Sequence, residues 1–248
     1  DVLFRASTYF YLHFQYNGFF LFSSIGLFLI SLKKYGVQIQ EKLNKTIFRL
    51  LAVGCFFGYG LSILWIDMPE LLHIFFGVIS ILQIIGAIKL WRWFEQTKLF
   101  KKQHVIQKWL LVVVGFAFLG KFILQILSAI PELGIYAFSN INIVIGYLHL
   151  VLLMGVSLFL IWKMLHLENI KINKFLQTSI VIMIFGIICN EVILGLSGFF
   201  SIVYIPFLSA KYWLLFASVV IMISIGMFIR ALRIKNYINK EFKNIKSP

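Results

Sequence analysis

Seven stretches of about 20 or more predominantly apolar residues, each bounded by a short polar connection, constrain this chain more than any other feature. A hydrocarbon solvent admits only structures that satisfy their own backbone, which means helices or closed barrels. The stretches cover 8–32, 46–65, 70–94, 108–130, 139–165, 174–198 and 211–234. They do not alternate strictly between apolar and polar residues, so helices are predicted rather than barrel strands. Composition agrees: 61% of the residues are hydrophobic and 13% charged, against roughly 25% charged in a soluble domain. No single water-soluble core could hide this much apolar surface. The predicted architecture is all-α and polytopic: a bundle of seven transmembrane helices making one domain over 1–248, with a short basic tail at 235–248.

The charges set a direction. A net charge of +14 would suggest nucleic acid in a soluble protein, but here the basic residues gather in alternate connections. The first holds Lys33, Lys34, Lys42 and Lys45, with Arg49 just beyond. The third holds Lys89, Arg92, Lys98, Lys101, Lys102 and Lys108, and the fifth Lys163, Lys171 and Lys174. The tail adds Arg230, Arg233, Lys235, Lys240, Lys243 and Lys246. The intervening connections carry Asp67, Glu70, Glu132 and Lys211. Basic connections stay in the cytoplasm, which predicts an outer N-terminus and a cytoplasmic C-terminus. The partner of this charge is then an anionic leaflet, not nucleic acid. Asp67, Pro69 and Glu70 read as a box-like start to the third helix, and Pro131 as the close of the fourth. Cys55 and Cys189 fall inside helices as buried free thiols. The first residue is Asp1, which suggests a partial chain with helices missing upstream; the first apolar stretch is too long for a signal peptide and lacks a basic leader.

Intramembrane polar residues carry whatever function there is. At about 1.5 Å per residue, His13, His73, His149, Lys121 and Glu191 all fall between the midplane and the outer surface. A charge near the bilayer centre costs about 2.5–3.5 kcal/mol even on the lenient insertion scale. Lys121 and Glu191 should therefore face the interior, at depths similar enough to pair. Such a pair could pin the fourth helix to the sixth, or it could move protons or meet a charged ligand. Tyr9, His13, Tyr16, Asn17 and Phe20 share a face of the first helix. Asn142, Gly146 and His149 share one on the fifth, and Lys121, Gln125 and Ser128 one on the fourth. His73 has Gly77 one turn on, which leaves space for a flat macrocycle or for a close-packed helix. A lone histidine in such a place also serves as an interhelical hydrogen bond. His104 and His166 lie among lysines on the cytoplasmic side and are expected to be solvated. Gln15 and Gln83 are further candidates for bonds between helices. Trp65, Trp91, Trp93, Trp109 and Trp213 match an interfacial aromatic belt.

The run Tyr9-Phe10-Tyr11-Leu12-His13-Phe14-Gln15-Tyr16-Asn17-Gly18, with His73 and Gly146-Tyr147-Leu148-His149, resembles bacterial membrane proteins related to the heme–copper oxidase large subunit. It is similar in style to the NnrS-type proteins of nitric-oxide stress. The resemblance implies a bacterial cytoplasmic (inner) membrane protein that binds heme through His13, His73 or His149, with Tyr16 and Asn17 as hydrogen-bonding support, in redox or nitric-oxide-related work. It also implies further helices or subunits. The chain lacks the adjacent His-His pair of a terminal oxidase copper site, so nothing supports copper. Two other readings stay open. One is a proton-coupled transporter using Lys121 and Glu191; the other is a structural subunit or receptor, although 212–229 holds no lysine for a retinal. There is no phosphate-cradling glycine loop, zinc motif or nucleophile elbow, so no particular enzyme class is indicated.

Overall fold

The computed structural model describes residues 2–66, 68–167, 170 and 172–245, with side chains except at 167 and 234–245. The proposed Asp67 cap, Lys171 and Lys246 lie outside the described residues, as do the side chains of Lys235, Lys240 and Lys243. Every element is helical and no strand occurs among the described residues. We number the helices α1 (Val2–Lys33), α2 (Glu41–Ile63), α3 (Glu70–Glu95), α4 (Lys98–Lys102), α5 (Val105–Ser128), α6 (Pro131–Ser139), α7 (Ile141–His166), α8 (Lys174–Ile202) and α9 (Ala210–Ile245). Seven of them, all but α4 and α6, contain a stretch long and apolar enough to cross a membrane. The chain is a multi-pass, all-α membrane protein.

The helix starts differ from expectation in instructive ways. Pro69 is the N-cap of α3 and makes no side-chain cap bond. Glu70 is therefore the first helical residue, where it meets the positive end of the helix dipole instead of closing a capping box. Pro131 does close the region after α5, but as the first residue of a new helix, α6, that occupies the connection read as a turn. A proline there loses no hydrogen bond, because the first N–H groups of a helix have no intrahelical acceptor. His104 is the N-cap of α5: its Nδ1 accepts from Ile106 N–H at 3.3 Å, while Gln107 reaches back to the His104 N–H.

The chain folds as two compact units, Asp1–Glu168 and Asn169–Pro248. In the first, five spanning helices form a closed ring. α2 packs on α3, α3 on α5, α5 on α7, and α1 completes the circuit against both α2 and α7. The second is an antiparallel hairpin of α8 and α9, in which Gly186 leaves room for Ile221 and Val220. In lipid no hydrophobic effect pushes helices together, so small residues that let backbones approach are what hold such contacts. In the ring these are Gly60, which faces the Phe76 ring, Gly54, which faces Gln83, and Gly86, which faces Leu51. Gly77, read as possible space beside a macrocycle, is filled by α5: a Cβ there would stand 3.3 Å from that of Ala129.

Two of the spans are not uniform. α1 passes from α-helix to a π segment at Phe14–Phe20 and back, and α7 does the same at Leu150–Ser157. Each π segment begins at the residue after a histidine, His13 in one and His149 in the other. The two segments touch across the ring. α2 tightens instead, ending in a 3₁₀ stretch at Gly58–Ile63. Wide and tight turns inside membrane helices free backbone groups that side chains must then satisfy.

Candidate functional site: a buried polar centre

That backbone irregularity builds a polar knot between α1 and α2. The last α-type bond of α2 runs from Gly58 N–H to Gly54 O, which leaves the Cys55 carbonyl without a partner in its own ladder. His13 supplies one, its Nε2 lying 2.8 Å from Cys55 O. A carbonyl can only accept, so Nε2 carries the proton and Nδ1 the lone pair. Nδ1 receives the Asn17 amide at 3.0 Å and the Ser62 hydroxyl at 3.1 Å. Asn17 is the polar neighbour of the Tyr147 hydroxyl across the ring. His13 and Asn17 are both buried, at 3% exposure each.

A second buried polar group of the same ring is Lys121 on α5. It is completely buried. Its Nζ donates to Gln125 Oε1 at 2.9 Å, one turn along α5, and lies 4.1 Å from the centre of the Phe122 ring. Among the described residues the ion pair within 4.0 Å joins Lys45 to Glu41; Lys121 is met by a neutral amide and an aromatic face. Gln83, fully buried against Gly54, has neither amide atom hydrogen-bonded. Leu21, Ile47, Leu51 and Phe122 form a buried apolar layer, in which Leu21 stands one turn past Asn17 toward the Lys33 end of α1 and Leu51 one turn before Cys55 on α2.

The predicted site residues separate clearly on this structure. His13 and Asn17 are joined to each other, and Lys121 to Gln125, the shared-face partner expected from spacing. Tyr16 is not drawn in: it is half-buried and stacks on Phe20 at 6.4 Å. His73 is buried in the first turn of α3 and lies 3.2 Å from the carbonyl of Ala129, the C-cap of α5. His149 is half-buried where the second π segment begins. Lys121 and Glu191 belong to different units; Glu191 has a buried Oε1 without a hydrogen-bond partner. His166, expected to be solvated, is 7% exposed, because Trp162 stacks on it at 4.9 Å and Tyr35 covers it at 4.5 Å. Trp162 itself, no part of the expected belt, is fully buried and donates to Gln103. Cys55, Ser62 and Tyr147 were not singled out as site residues from the sequence. The available signal was the run of small residues Gly54, Gly58 and Gly60 around Cys55, a place where a neighbouring side chain can reach the backbone.

A heme or copper centre asks for imidazole nitrogens with free lone pairs. His13 offers none, since one ring nitrogen donates and the other is already filled. Among the described residues no group of three or more His, Cys, Asp or Glu side chains stands close enough to hold a metal ion. Comparison with protein-family profiles, curated proteins and solved structures gives no match.

Proposed function

We propose that the protein is a proton-coupled membrane carrier in which Lys121 is the group that exchanges its charge. The observation that carries this reading is a fully buried lysine held by a neutral amide. Burying an ammonium costs several kcal/mol unless an opposite charge offsets it, and chains seldom keep such a group inside a membrane without a use for it. Giving up a proton and taking on an anion are the two ways to offset the cost, and a coupled carrier does both in turn. The unbonded amide of Gln83, the His13–Asn17–Tyr147 line and the apolar layer beneath support this reading. They place hydrogen-bonding capacity on one side of a barrier. Glu191 is the second intramembrane ionisable group we assign to the cycle.

The test needs no knowledge of the substrate. Proteoliposomes on a sensor membrane should give a transient charge displacement after a pH jump. Lys121→Met should remove at least about nine-tenths of it, a tenfold loss on the scale of one titrating group. An undiminished transient in Lys121→Met would sink the proposal.

The basic connections support placement in a bacterial inner membrane with the N-terminus outside. A C-terminal fluorescent-protein fusion should be bright and a C-terminal alkaline phosphatase fusion inactive; the opposite pattern reverses the orientation. One observation favours heme as a second reading. His73 donates through Nδ1 to Ala129 O, which leaves Nε2 unprotonated, as in a ligand oriented by a carbonyl. That reading expects a Soret band from protein expressed with ample heme, lost in His73→Ala. Colourless protein would end it.

A further inference from the structure

Beneath the apolar layer, in the half of the ring nearer the basic connections, α1, α3 and α5, with Leu51 of α2 and Phe159 of α7, line a half-open cavity of about 430 Å³. Its walls are apolar, among them Leu21, Phe28, Leu51, Trp91, Leu111 and Phe122. Interiors pack as densely as organic crystals and seldom leave voids larger than a water molecule. This space falls in the range of ligand pockets, about 300–1,000 Å³. An apolar cavity does not hold water stably, whereas a bilayer offers it hydrocarbon chains.

Two charged residues also line it, Arg92 and Glu95, one turn apart on the last turn of α3. Both are exposed, and they are not within 4.0 Å of each other as an ion pair. A cation and an anion side by side, left to face outward above an apolar slot, complement a head group that carries both signs. An anionic head group would meet Glu95 as a like charge.

We propose that this cavity is a binding site for one acyl chain of an amino-phospholipid, with the phosphate on Arg92 and the primary ammonium on Glu95. Arg92 suits a phosphate because its planar guanidinium donates in a fork. Glu95 distinguishes a primary ammonium, which donates hydrogen bonds, from a quaternary one, which cannot. The site is independent of the proton-carrier reading, since it shares only the dividing layer with the polar centre.

The full chain in nanodiscs would be irradiated with phosphatidylethanolamine, phosphatidylglycerol or phosphatidylcholine, each bearing the same diazirine-labelled acyl chain. Labelled peptides are then mapped by mass spectrometry. Phosphatidylethanolamine should label 87–95 and 111–122 about tenfold more than phosphatidylcholine, the worth of one charge-assisted hydrogen bond. Arg92→Gln should reduce labelling by all three lipids. Glu95→Gln should bring phosphatidylethanolamine down to the level of phosphatidylglycerol. Ala87→Leu, which fills the cavity from its wall and touches neither charge, should lower labelling whatever the head group. Equal labelling by the three lipids in the unaltered protein overturns the head-group assignment, and labelling undiminished by Ala87→Leu overturns the site itself.

Discussion

Lys121→Met is expected to make the protein more stable while silencing the charge movement evoked by a pH jump. Methionine keeps nearly the same length and volume, so the fully buried slot on α5 stays filled. What disappears is an ammonium whose burial is offset by one neutral hydrogen bond and one aromatic face. Replacing buried charge with a well-packed apolar side chain commonly stabilises by about 1–4 kcal/mol. Part of that gain is lost here, because Gln125 Oε1 is left without its donor. Lys121→Met with Gln125→Leu removes both partners and should recover the full gain, since deleting a pair together avoids stranding either member. Thermal unfolding in detergent measures the sign directly. If Lys121 were instead half of a structural ion pair, removing it would strand a buried carboxylate and cost about 3–5 kcal/mol. Higher stability with lost function marks a residue kept for what it does; lower stability with intact charge movement would make it a fastener.

Much of the fold was legible because lipid leaves a chain so few options. Seven apolar stretches could only be helices, and seven helices of spanning length are found. Boundaries moved by a few residues where local chemistry outranked hydropathy, as where Pro131 opens α6. The candidate site was legible in part. Helical spacing brings Lys121 to Gln125 and His13 to Asn17, since both pairs are four apart. What periodicity cannot reveal is a change in the period itself. The π segments of α1 and α7 and the 3₁₀ end of α2 depend on packing around the ring. Those changes decide which carbonyls are left over. Cys55 O and Ala129 O both lie where an α-helical ladder stops, and each is met by a histidine. Two of the three histidines singled out from the sequence thus lie against backbone carbonyls at helix ends, a role that spacing alone does not disclose. His166 was misjudged for a related reason: Trp162, one turn back on α7, stacks on it, and Tyr35, from a distant part of the chain, covers it only once the ring has closed.

The capping role of His13 leads to the second large effect. His13→Ala would leave the Cys55 carbonyl, the Asn17 amide and the Ser62 hydroxyl without the ring that joins them. Ser62 can turn to its own helix, as serines in membrane helices do, and the Asn17 amide keeps its Tyr147 neighbour, but the carbonyl has no such alternative. Individual polar contacts between membrane helices average near 0.6 kcal/mol, because an unfolded chain in lipid also finds partners. Groups stranded in the folded ring cost more, about 1–3 kcal/mol each. The expected loss is about 2–4 kcal/mol in total. His13→Gln is the informative companion: its amide N–H can still donate to Cys55 O and its oxygen can accept from Asn17, so it should recover roughly half of that loss. A heme ligand behaves otherwise, since glutamine does not replace imidazole on iron and the Soret band would vanish in both variants. A graded loss of stability, Ala below Gln below His, with the absorption spectrum unmoved, identifies His13 as the clasp between α1 and α2. An unchanged melting temperature with a vanished Soret band would return it to the iron.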